Sequence, residues 1–121
     1  MNADSKASSQ VAAEELSELL SYRDKVVELL REREMKFKSL EQERLRITGL
    51  LADSSIQKLV RSGDAQKIIA GDAIRRSYSS ELKSIESALL DAREELRKAN
   101  ERLLQVDDDI RQLANVSAES L

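Results

Sequence analysis

From Leu16 to Leu51 the apolar residues return in alternating steps of three and four: Leu16, Leu19, Val26, Leu30, Phe37, Leu40, Ile47 and Leu51. That rhythm puts one apolar ridge on a helix and suits a helical partner. The same steps bring Arg23, Arg33 and Arg44 into the ridge, while Leu20 and Val27 widen it early on. The pattern predicts a long helix over about 11–52. Gly49 lies inside it and weakens it by about 1 kcal/mol relative to Ala.

A second ridge is more regular. Tyr78, Leu82, Ile85, Leu89, Ala92, Leu96, Ala99, Leu103, Val106, Ile110 and Leu113 form a strict heptad. Repetition over more than four heptads is a strong coiled-coil signal. It predicts a second long helix over about 72–114. Folding the chain near Gly63 brings ridge against ridge, with Ile47 near Tyr78, Phe37 near Leu89 and Val26 near Ala99. Arg33 falls opposite Ala92, where its stem can cover the ridge and release the charge to water.

The connecting segment, about 55–70, carries its own helix signals. Asp53, Ser54 and Ser55 offer capping side chains ahead of Ile56, Leu59 and Val60. Ser62-Gly63-Asp64-Ala65 and Ala70-Gly71-Asp72-Ala73 echo one another. Each reads as a glycine stop followed by an aspartate start, with Gly63 as a left-handed cap. The product is a small helical knob whose apolar residues pack on Leu50, Leu51 and Ile74. The fold expected is therefore all-α: a long antiparallel coiled-coil helical hairpin with a small helical knob at its connecting end. It forms a single domain over 11–115, flanked by polar tails at 1–10 and 116–121.

Composition narrows the function. The 121 residues include no Pro, no Cys and no His, and the aromatics are Tyr22, Phe37 and Tyr78 alone. Without Cys or His the chain lacks thiolate chemistry, the commonest neutral-pH acid–base group and the commonest metal ligand. No catalytic residue, cofactor or metal site is expected. Asp107, Asp108 and Asp109 run consecutively, but neighbours on a helix point about 100° apart and do not converge on one ion. The glycines do not form a phosphate-binding loop. No stretch is long and apolar enough for membrane insertion. The N-terminus lacks the apolar core of a secretory signal, so a cytoplasmic location is the default.

Charge is uneven. Residues 54–79 carry a net +3, from Lys58, Arg61, Lys67, Arg75 and Arg76 against Asp64 and Asp72, although the whole chain is at −3. Those five cations mark a candidate partner-binding tip. The patch is small for a nucleic-acid footprint, and the overall negative charge disfavours that partner. Leu20, Val27, Leu45, Leu50, Leu90 and Leu104 fall outside the ridges. Of these, Leu20 and Val27 on one helix and Leu90 and Leu104 on the other form a candidate self-association flank. Two helices alone bury little apolar surface, which favours a homodimer packed as a four-helix bundle. The expectation is a non-enzymatic structural or adaptor protein that self-associates and docks a protein partner by its tip or outer face. The alternatives are a small helical chaperone or regulatory factor of a secretion or assembly machine and, further off, a nucleic-acid-associated regulator.

Overall fold

The computed structural model describes the backbone of residues 2–119 and the side chains of residues 10–116. It contains three helices: α1 (Asn2–Leu51), α2 (Ser54–Val60) and α3 (Ala65–Glu119). The two long helices pack against each other as a hairpin joined by the short one. This is the all-α arrangement that the two ridges predict. The long helices reach further than the apolar pattern does. α1 begins at Asn2, within the segment whose composition reads as a tail, and α3 continues to Glu119. Once a packed segment has nucleated a helix, each added residue gains one hydrogen bond, so polar but helix-compatible ends propagate it. Of the side chains of the expected 1–10 tail, only Gln10 lies within the described residues.

The residues group into two compact units. One comprises residues 35–94, and the other residues 1–34 with 95–121. In the unit of residues 35–94 the core is Ile47, Ile56, Leu89 and Ala92, with Ile47 wholly enclosed. Phe37, Leu40, Leu51, Tyr78, Leu82 and Ile85 surround it half-buried. In the unit of residues 1–34 and 95–121, Val26, Ala99 and Val106 are buried. Leu16, Leu19, Leu30, Leu96, Leu103, Ile110 and Leu113 are half-buried there. Every ridge position of α3 from Tyr78 to Leu113 is thus buried or half-buried.

Three arginines occupy the ridge of α1, and the packing treats them differently. Arg23 donates from Nε to Asp107 at 2.5 Å, and Arg33 donates from Nη1 to Glu95 at 2.5 Å. Each guanidinium slides sideways out of the ridge to a carboxylate on the flank of α3. The charge of Arg33 is therefore met by Glu95, about one turn beyond Ala92, and is not simply released to water. These pairs run in opposite senses along the two helices, as an antiparallel hairpin requires. Arg44 is exposed.

The connector departs from the expected double junction. Asp53 has extended backbone (φ −62°, ψ 131°) and N-caps α2. Its Oδ1 accepts both the Ser55 N–H at 2.8 Å and the Ser55 hydroxyl at 2.7 Å. Arg61 ends α2 with its N–H bonded to the Gln57 carbonyl at 3.0 Å, and the Ser62 N–H bonds Leu59 at 3.2 Å. No glycine among the described residues has positive φ, so Gly63 is not a left-handed cap. A short turn bridges to Asp64, whose N–H bonds the Ser62 hydroxyl at 3.0 Å. The Asp64 carboxylate accepts from the Gln66 N–H at 2.9 Å and starts α3.

The second expected stop does not occur. Gly71 and Asp72 lie inside α3, and Asp72 caps nothing. Gly71 is buried. A Cβ placed on it would stand 2.9 Å from Val60 Cγ2, 3.0 Å from Leu59 Cβ and 3.2 Å from the Val60 nitrogen. The glycine is there so that the end of α2 can cross the backbone of α3 at close range. The knob is therefore one short helix, not two turns. Ile56 is buried, and Leu59 and Val60 are half-buried and lie against Gly71, whereas Ile74 is 37% exposed and Ile69 lies out in solvent.

Candidate interaction surfaces

All five cations of the candidate tip are exposed. Lys58 and Arg61 come together on α2. With Ala52, Ser54 and Gln57 they line an open pocket of about 520 Å³. Their three-residue spacing puts both on one side of the short helix, the side turned away from buried Ile56. Lys67, Arg75 and Arg76 stand on α3 and do not line that pocket. Lys67 and Arg75 flank the Gly71 side of the helix, while Arg76 is rotated about 100° from Arg75. Lys58 and Arg61 thus share a pocket, and Lys67, Arg75 and Arg76 stand on α3 outside its lining.

The candidate self-association flank divides as well. In the unit of residues 1–34 and 95–121, Leu20 is 47% and Leu104 71% exposed, while Val27 is half-buried against the packed helices. In the unit of residues 35–94, Leu90 is 66% exposed. Leu45 on α1 of that unit is 72% exposed. The ridge pattern singled Leu45 out only as one apolar residue left over. Leu45 lines a shallow groove with Glu41, Arg44 and Thr48, its neighbours along α1.

Among the described residues, no group of three or more Asp or Glu is arranged to hold a metal. The three consecutive aspartates each take a different partner. Asp107 accepts from Arg23, Asp108 from the Gln112 amide at 3.1 Å and Asp109 from the Gln105 amide at 2.9 Å. No described helix is long and apolar enough to cross a membrane. No protein-family model, curated protein or solved structure matches this chain. What it does must therefore be argued from its surfaces.

Electrostatic perturbations are mild and local. Hydrogen bonding to Asp107, reinforced by its charge, raises the Arg23 guanidinium above its ordinary value. The hydrogen bond from Arg46 holds Glu43 below the usual carboxylate range. The two hydrogen bonds from Ser55, backbone first, do the same for Asp53. Each of these shifts has a structural cause, a cap or an ion pair. Arg93 sits 5.9 Å from the Phe37 ring centroid, a cation–π contact that covers the outer edge of the core.

Proposed function

We propose that this chain is a non-enzymatic structural or adaptor protein of the cytoplasm that self-associates and docks a protein partner. The observation that carries this reading is the division of its apolar residues. The two ridges are used up in packing α1 against α3, yet Leu45, Leu90 and Leu104 remain 72%, 66% and 71% exposed. An amphipathic helix has one apolar face to bury, and leucines left on its outer side are ready anchors for a further helix.

The cationic pocket at α2 supports the docking half of the reading. Lys58 and Arg61 present two positive charges beside Ser54 and Gln57, with no carboxylate in the lining. An acidic segment of a protein partner fits that chemistry, because complementary charge steers encounter and fixes orientation. Helices capped at Asp53 and Asp64 give the pocket a firm base.

Light scattering over a range of protein concentrations tests the reading. A particle of more than one 13.6 kDa chain is expected. A particle of one chain at every concentration, with full helicity by circular dichroism, overturns self-association.

A further inference from the structure

In the unit of residues 1–34 and 95–121, a groove of about 90 Å³ lies between the two long helices, lined by Leu29, Arg33, Glu95, Lys98, Ala99 and Arg102. Ala99, 2% exposed, is its floor. The short side chain there leaves a hollow on the α3 ridge between Leu96 and Leu103. Half-buried Leu29 and, four residues on, Arg33 line it from α1. Glu95, Lys98 and Arg102 follow at spacings of three and four, so they stand along one flank of α3.

The charges around this hollow do not balance. Three cations, Arg33, Lys98 and Arg102, stand against one anion, Glu95, which leaves the lining at +2. The Glu95 carboxylate already accepts from Arg33 Nη1 at 2.5 Å. Elsewhere in the same unit Arg23 meets Asp107 one to one. Here the α1 side of the groove adds Leu29, which has no charge to set against Lys98 and Arg102. Covering Leu29 needs only aliphatic stems, and does not require two further cations beside a pair that is already neutral. A guanidinium or an ammonium carries several donors and no acceptor, so N–H groups outnumber acceptor oxygens in the lining. The bond to Glu95 holds the Arg33 fork at the groove with further N–H groups left to give.

We propose that this groove binds a phosphate dianion, free or as the end of a monoester, between Arg33 of α1 and Lys98 and Arg102 of α3. A phosphoryl group carries about −1.5 to −2 at neutral pH and presents several strong acceptor oxygens. Those properties match the excess of positive charge and of donors. The groove's volume holds a few waters or one small oxyanion, and no polypeptide segment. The site is complete within one chain, so binding needs neither a second copy nor the pocket at α2. The bound ion ties α1 to α3 and so favours the packed hairpin.

Titration of the full chain with sodium phosphate, followed by amide NMR spectra, tests this, with O-phosphoserine run alongside. Sodium chloride holds the ionic strength constant, so that general screening cancels. Saturable shifts are expected at the amides of Arg33, Glu95, Lys98, Ala99 and Arg102. The double variant Lys98→Gln, Arg102→Gln should weaken binding about tenfold or more. Both side chains are exposed, and circular dichroism verifies that the variant keeps its helicity. Lys98→Arg, which keeps the charge, should retain most of the affinity. Lys58→Gln with Arg61→Gln, at the α2 pocket, should leave binding unchanged.

Saturation by both ligands means that the site takes the end of a monoester, and saturation by phosphate alone means that it takes the free ion. Shifts that rise without saturating, that centre on Lys58 and Arg61, or that survive intact in the Lys98→Gln, Arg102→Gln variant overturn the proposal.

Discussion

Gly49 and Gly71 both lie within long helices, yet replacing each with alanine should have opposite effects. In a helix interior, Gly→Ala gains about 1 kcal/mol by restricting the unfolded chain and protecting the backbone. At Gly49 nothing lies within 4 Å of the new methyl, so the whole gain should be realised. At Gly71 the methyl enters occupied space, 2.9 Å from Val60 Cγ2, 3.0 Å from Leu59 Cβ and 3.2 Å from the Val60 nitrogen. Overpacking of this kind costs about 1–3 kcal/mol. The upper part of that range applies, because Leu59 Cβ and the Val60 nitrogen cannot swing away as a flexible side-chain end does. Gly71→Ala should therefore fall up to about 2 kcal/mol below the parent, even after the helix gain is subtracted. Urea and thermal melts by circular dichroism, at one fixed protein concentration, measure both variants. At this chain length 1 kcal/mol corresponds to roughly 3–5 °C in Tm. Adding Val60→Ala should recover part of the loss, since it removes the nearest of the three atoms and leaves the other two. If Gly71→Ala proves as stable as Gly49→Ala, α2 does not cross α3 at close range and the account of the connector is wrong.

Three further outcomes are expected. Ile47→Ala removes a side chain with no solvent exposure and should destabilise the chain by about 2–5 kcal/mol in urea melts; a loss under about 1 kcal/mol would mean that Ile47 is not the centre of its unit. Arg33→Leu puts an apolar side chain into a ridge slot, in place of one end of a partly exposed ion pair with Glu95. Because such pairs contribute only about 0–1 kcal/mol, the variant should melt no lower than the parent, and a clear fall in Tm would show that the pair holds the helices together. Asp53 has a depressed folded-state pKa, so its cap is fully effective above the ordinary value of 3.8 and is lost as pH falls through the lower folded value. Asp53→Asn keeps a capping oxygen but does not titrate, and should flatten the part of the acid-unfolding curve that lies in that window; an unchanged curve would remove Asp53 from the cap.

The helices were legible because their signal is repetitive. The ridge positions of α3 all point to the same face, and the small side chains of Ala92 and Ala99 do not interrupt it, both being buried. The connector has no such redundancy. Ser62-Gly63-Asp64 and Ala70-Gly71-Asp72 are nearly alike as local sequences, and in both the glycine reads as a stop. What separates them lies partly in Ser62, whose hydroxyl takes the Asp64 N–H, a bond that Ala70 has no oxygen to make. The rest is tertiary: Leu59 and Val60 press on residue 71 and need it to lack a Cβ, and nothing near Gly71 in the sequence announces that. The surfaces follow the same division. Which cations and leucines fall outside the ridges was readable from spacing. That Lys58 and Arg61 share a pocket while Arg76 does not depends on where neighbouring backbones run.

The crossing at Gly71 also bears on the order in which the chain assembles. It joins residues about a dozen positions apart, whereas the Arg33–Glu95 and Arg23–Asp107 contacts span 62 and 84 residues. Closing the shorter loop loses least chain entropy. Capped α2 and the start of α3 should then serve as a kinetic nucleus, so that a bulky side chain at position 71 retards refolding while the equivalent change at position 49 leaves the refolding rate nearly untouched.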